Sequence, residues 1–187
     1  MTLPIPAAVA VAAMLLVASG DLLAAERAID PAKSSISAVF TQMGVPVEAP
    51  FTRFSGRVDH DPAKPADARA VLEIDTTSFD IGDDDYNAEV RKPEWFDSGR
   101  FPKASFTASG LKPAGNGSFE AAGKLSLKGR TAELKAPVTI KAEAGGSRYS
   151  GVATLSRKTF GIGDPAWDGT VEDPVKIKFQ IFVPAAR

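Results

Sequence analysis

Pro93-Glu94-Trp95-Phe96-Asp97-Ser98-Gly99-Arg100-Phe101-Pro102-Lys103-Ala104-Ser105-Phe106 is the stretch on which the fold of this chain turns. It sets four large aromatic side chains among Pro, Gly and Asp. It then runs into an alternation with Ala104, Phe106 and Ala108 on one parity and Ser105, Thr107 and Ser109 on the other. A period of two marks a half-buried β-strand, and Gly99 and Pro102 fix the turn before it. Aromatics this dense belong at one end of a hydrophobic core, where their large area is removed from water. The stretch therefore predicts a strand that starts from an aromatic plug.

The same period recurs on both sides of it. Eight strand candidates lie near 35–42, 51–60, 69–78, 103–111, 118–128, 131–141, 148–157 and 173–183. In the last, Val175, Ile177, Phe179, Ile181 and Val183 share a face opposite Lys176, Lys178 and Gln180. Clean alternation of this kind belongs to antiparallel strands with one face in water, not to a parallel sheet covered on both sides. Between the third and fourth candidates the pattern breaks. Asp83-Asp84-Asp85-Tyr86-Asn87-Ala88-Glu89-Val90-Arg91-Lys92 carries its acids first and its bases last, which suits a helix dipole, with Asp83 as N-cap and Pro93 as the stop. Small residues on the inferred inner face (Ala38, Gly56, Ala70, Ala121, Gly123, Gly151) suit a closed eight-stranded barrel holding side chains or one slender ligand. A two-sheet sandwich produces much the same alternation.

Residues 5–18 are apolar and uncharged, too short a run for a membrane span, and small residues follow at Ser19-Gly20 and Ala24-Ala25. This reads as a cleaved signal peptide over 1–25, without the usual basic n-region, and places the remaining domain, 26–187, in the periplasm. The chain has 22 basic and 23 acidic residues, and loss of Asp21 with the leader balances them. A neutral domain without a basic stripe offers no nucleic-acid footprint, so its partner is expected to be neutral and apolar. Cysteine is absent, which removes disulfides, lipobox anchoring and thiolate metal sites.

The aromatic stretch resembles the F-F-D…(K/R)-(Y/F)-P-x-x-x-F signature of the YceI-like family of bacterial lipocalin-like barrels. Phe51-Thr52-Arg53-Phe54-Ser55-Gly56 is similar to its F-x-x-F-x-G, and Ile74-Asp75-Thr76-Thr77-Ser78-Phe79-Asp80-Ile81-Gly82 to its I-D-x-x-S-I-x-T-G. Gly123-Lys124-Leu125-Ser126-Leu127-Lys128-Gly129 and Arg157-Lys158-Thr159-Phe160-Gly161-Ile162 look like G-x-L-T-I-(R/K)-G and R-x-x-F-G-I. The motifs run in order across 28–183. Departures are Ala49-Pro50 in place of a usual Gly, Asn87 where Asp is common, and Glu89 where His is common.

The resemblance tips the choice to an all-β, eight-stranded antiparallel lipocalin-like barrel with a short helical insertion between strands 3 and 4. It implies a non-enzymatic periplasmic carrier or reservoir for a polyisoprenoid lipid, of the prenylated quinone or polyprenyl phosphate type. Lining by Phe40, Phe54, Ile74, Trp95, Phe96, Phe106, Leu125, Phe160, Trp167 and Phe179 is implied, with Trp95 and Trp167 at the mouth. No cofactor is implied beyond the bound lipid; the implied partners are the lipid, a transient contact with a membrane or membrane proteins, and a homodimer. The alternative is a barrel with a solid core whose outer face binds a partner, such as a membrane redox protein.

The residues offer little chemistry. His60 is the only histidine, set between two acids in a Pro-containing turn, and reads as a solvated turn residue. A Ser-His-Asp arrangement would have to use His60, which reads as a turn residue and not as a base, and without a second His or any Cys the common zinc sites are excluded. The acids at 80 and 83–85 fail calcium-loop spacing and read as helix capping. Arg157 shares the parity of Leu155 and Ala153 and so points inward at a strand end. It is either a head-group contact or half of a fixed salt bridge, with Asp97 or Asp164 as partner; a buried Arg requires an acceptor.

Overall fold

The computed structural model describes residues 26–163 and 165–185, so the proposed leader lies outside the described residues. Ten strands form one antiparallel sheet: β1 (Arg27–Ala28), β2 (Ser35–Gln42), β3 (Val45–Pro50), β4 (Phe54–Asp59), β5 (Arg69–Asp75), β6 (Lys103–Gly115), β7 (Ser118–Leu127), β8 (Arg130–Glu143), β9 (Gly146–Leu155) and β10 (Val175–Pro184). Their hydrogen-bonded order is β1-β4-β5-β6-β7-β8-β9-β10-β2-β3. One short α-helix, α1 (Asp84–Glu89), lies in the connection between β5 and β6 among the described residues, and Asp83 caps it by accepting from the amides of Asp85 and Tyr86.

Two expectations are corrected. Ten strands are present, not eight. β1 is too short to show a period, and β3 carries Pro46 and Pro50, which remove ladder donors and disguise an edge strand as a loop. The sheet is also not a closed ring: it curls into a half-barrel whose end strands, β1 and β3, do not pair with each other. Scattered bonds cross the seam instead. At one end Asp30, just after β1, donates its amide to the Phe182 carbonyl of β10. At the other, Thr52 donates to Ser78 and Asp80 donates to Pro50.

Local chemistry explains the register. The β2–β3, β6–β7 and β7–β8 hairpins close through Met43-Gly44, Asn116-Gly117 and Lys128-Gly129, each with two successive positive φ angles. Such two-residue turns match the right-handed twist of the strands they join. In β6 the pairing slips between Ala108 and Leu111, which keeps both residues on the inner face.

Inside the curl, aromatic rings lie flat on glycines. A Cβ at Gly123 would come within 2.8 Å of the Phe106 ring, and one at Gly151 within 2.8 Å of Phe179. The missing side chains let both rings fold back against the wall, which leaves space along the axis of the curl.

Candidate functional site

That space holds two apolar chambers that share part of their wall, called outer and inner for the connections and the strand faces that build them. The outer chamber, about 160 Å³, is bordered by β2, β10, the 76–81 segment, α1 and the 95–96 loop. The inner chamber, about 140 Å³, runs on toward the 58–70 end of the sheet. Ile36, Ile74, Leu125 and Ile177 line both and form the waist between them.

The aromatic stretch builds the outer wall. Phe96 donates its amide to the Val90 carbonyl, while Asp97, in a left-handed conformation at φ 50°, accepts from the amides of Arg100 and Phe101. This coil lets Phe96 meet Phe79 and Phe51 edge to face, with centroids 5.6 and 6.1 Å apart. Trp95 packs edge-on against Trp167 at 5.8 Å. The helix supplies Tyr86, Glu89 and Val90 to the rim. Asn87 holds that helix in place: its side-chain oxygen accepts from the Ile81 amide, and its Nδ2 donates to Asp80. This bond, followed by one from the Gly82 amide, holds the Asp80 carboxyl below its ordinary range.

Phe40, Ile74, Trp95, Phe96, Leu125 and Trp167 are on the wall of the outer chamber, and Phe106 and Phe179 are on the wall of the inner one. Two expected lining residues are not. Phe160, only 3 % exposed, is packed against Ala104, Leu127 and Ile162, which line the outer chamber although Phe160 itself does not. Phe54 packs against the main core without reaching either chamber. Parity on a strand shows which face a side chain takes, not how far along the axis the void extends. Phe51 and Phe79 line the outer chamber although periodicity alone did not single them out; both sit in the motif segments around the second and third predicted strands.

Arg157, 3 % exposed, lines the outer chamber and is held there by its own chain. Its guanidinium donates to the Ile162 carbonyl at 2.9 Å, to the Val171 carbonyl at 2.8 Å and to Asp168 at 2.9 Å. The salt-bridge partner is thus Asp168. Asp97 instead pairs with Arg100, and Asp164 lies outside the described residues. Hydrogen bonds from Lys158 and then Arg157 keep the Asp168 carboxyl below its ordinary range. The Arg157 Nε and the Trp95 Nε1 are buried donors without a partner.

His60 is the clearest reversal. It is 9 % exposed, not solvated, and its Nδ1 shares a hydrogen bond of 2.8 Å with the Tyr149 hydroxyl across the inner chamber's wall. Burial, then the charge of Arg27, pushes its imidazole below the ordinary range, against the opposing pull of Asp61 and Asp59. Burial raises the Tyr149 phenol, which keeps its proton. No local signal separates a buried turn histidine from an exposed one, because its partner lies 89 residues away.

No group of three or more His, Cys, Asp or Glu placed to hold a metal occurs among the described residues.

Residues 28–183 match the model of the YceI-like domain. A UPF0312 protein of Vibrio cholerae is 30% identical over 126 residues, a segment covering 62% of this chain and 65% of that relative. The crystal structure of Burkholderia cenocepacia BcnA is 40% identical, with a TM-score of 0.79 over 82% of this chain and 98% of that one. A domain from Saccharophagus degradans, described as polyisoprenoid-binding and implicated in plant cell wall breakdown, has the same fold at 17% identity and a TM-score of 0.68, covering 88% of this chain and 99% of its own. The chain belongs to the YceI-like family.

Proposed function

We propose that this member of the YceI-like family binds a polyisoprenoid lipid along its two-chamber tunnel and serves, without catalysis, as a carrier or reservoir in the periplasm. The observation that carries this reading is the continuity of the apolar wall: both chambers are lined almost wholly by carbon and share a waist of Ile36, Ile74, Leu125 and Ile177. A long hydrocarbon threaded through both would gain about 0.8 kcal/mol for each CH₂ it removes from water. The polyisoprenoid description of the Saccharophagus domain supports that class of ligand.

The two unpartnered donors of Trp95 and Arg157 favour a head group with acceptor oxygens in the outer chamber. Arg157 is already neutralised in part by Asp168, so its role there is to present a fixed donor, with most of its charge satisfied by the protein. The hairpin beside the same chamber exposes Met43 (78 %) and Val45 (61 %), which suits a transient contact with a membrane during loading. Cleavage near residue 25 and a periplasmic location belong to the same proposal.

The test is to extract the protein purified from its native host with organic solvent and identify the extract by mass spectrometry, beside reloading of stripped protein with prenyl lipids. A stoichiometric isoprenoid is expected. Protein that yields no lipid and takes none up would leave the outer-face interaction module as the better reading.

A further inference from the structure

The inner chamber holds a feature that a passive hydrocarbon sleeve does not need. Its wall is apolar, with Val58, Ala68, Val138 and Ile181 among its residues, yet His60 and Tyr149 are built into it. The two rings meet at 77° with centroids 5.7 Å apart, joined through Nδ1 and the phenol. The other ring nitrogen, Nε2, is buried and has no partner.

The arithmetic of the pair leaves one bond unmade in either tautomer. If the phenol donates to Nδ1, the imidazole proton is on Nε2, a donor facing no acceptor. If Nδ1 carries the proton and donates to the phenol oxygen, Nε2 is a bare acceptor facing no donor. Buried polar atoms in native proteins are nearly always paired, and an exception calls for an explanation.

We propose that the inner chamber is a recognition site for an uncharged hydrogen-bonding group, a hydroxyl or carbonyl carried on the apolar chain, with His60 Nε2 as its partner and Tyr149 as the residue that positions the ring. This rests on the reading of the tunnel as a lipid site and adds to it a chemical preference at the end remote from Trp95 and Arg157. A hydroxyl satisfies Nε2 in either tautomer, whereas a carbonyl selects the tautomer with the proton on Nε2. An anionic group does not fit. Arg27 donates to the carbonyls of His60 and Pro184, and Arg69, which lines the chamber, does so from a position exposed to water, so a phosphate beside His60 would lack a buried counter-charge.

The probes are farnesol and farnesene, which share a C15 prenyl skeleton and differ in the hydroxyl. Affinities of both are measured for the wild-type protein and for His60→Phe. The ratio of farnesol to farnesene affinity is expected to fall about tenfold in the variant, the worth of one buried hydrogen bond, whatever change in prenyl affinity the two probes share. Because His60 is the sole histidine, its ring gives unambiguous 15N resonances in the wild-type protein, a readout that does not depend on the variant's folding. Farnesol is expected to shift the Nε2 resonance and farnesene to leave it in place.

An unchanged affinity ratio with an unmoved Nε2 resonance, while both probes bind, overturns this proposal and spares the lipid tunnel. Failure of both probes to bind overturns the tunnel reading and this one with it. Farnesyl phosphate binding more tightly than farnesol in a His60-dependent manner overturns the uncharged class.

Discussion

The outer and inner chambers are nearly equal in volume and share four residues, but they are built in different ways. The outer chamber owes about half of its wall to connections: the 93–102 coil, α1, the 76–81 segment, the 157–171 loops and Phe51 between β3 and β4 supply three interacting phenylalanines, two tryptophans and a clamped arginine. The inner chamber is walled by strand faces, where Ala, Gly and Val leave space and two phenylalanines lie back on glycines. The rigid sheet makes the void by subtraction, and the loops make a mouth by addition. Loop-built walls can change shape to admit a ligand, while ladder-bonded strands set how deep the ligand goes.

The sharpest way to break the comparison is to close the waist. Ile74→Trp should leave binding of a C5 or C10 prenyl probe to the outer chamber largely intact and exclude longer chains from the inner one. Each isoprene unit denied burial costs up to about 4 kcal/mol, or about a thousandfold in affinity. Titration of wild type and variant with prenyl alcohols of rising length reads the effect. A uniform loss at every length would mean that the chambers do not act in series.

Next in size is a contrast of two phenylalanines. Phe160 is buried and lines neither chamber, and Phe160→Ala should cost about 3–5 kcal/mol, as a buried Phe truncation does. Phe106 borders the inner void, and Phe106→Ala should cost less, about 1–2 kcal/mol, because the ring has empty space on one side and forfeits fewer contacts. Urea unfolding of both variants compares them. Equal costs would show that the inner chamber is closed up in solution.

The smallest effect is a pH dependence confined to the inner chamber. The buried His60 has its folded-state value pushed below that of the unfolded chain. The unfolded state therefore takes up the proton first, and stability is full above the ordinary imidazole value of about 6.5 and declines as the pH falls through it. The depressed carboxylates Asp75, Asp80 and Asp168 lose their contribution only at lower pH, near and below the ordinary carboxylate range. Melting temperatures from pH 7.5 to 5.5 should fall for wild type and stay flatter for Tyr149→Phe,His60→Phe. An identical slope in both would assign the dependence elsewhere.

Strand faces were legible in the sequence because their causes are local: Ala104, Phe106 and Ala108 alternate with polar neighbours. The strand β3 was hidden because Pro46 and Pro50 weigh against a strand unless it lies at an edge, and edge position is a property of the whole sheet. Of the site, residue type and parity showed which aromatics point inward, while lining rather than filling by them was implied only by the family resemblance. Phe54 and Phe160 were misplaced because both satisfy the same parity as true lining residues, and only packing distinguishes a filled layer from an empty one.

By itself the sequence determined an all-β chain, antiparallel pairing, the aromatic stretch at one end of the core and the small residues that hollow its axis. Each follows from period, propensity or the absence of a Cβ, and these act within a few residues. Tertiary structure alone decided that the curl stays open, that Arg157 belongs to Asp168, and that His60 is buried against Tyr149 with one nitrogen unmet. Those outcomes depend on which side chains meet across 11 to 89 residues of chain. Hydrogen bonds and burial between such distant partners leave no periodic trace in either segment.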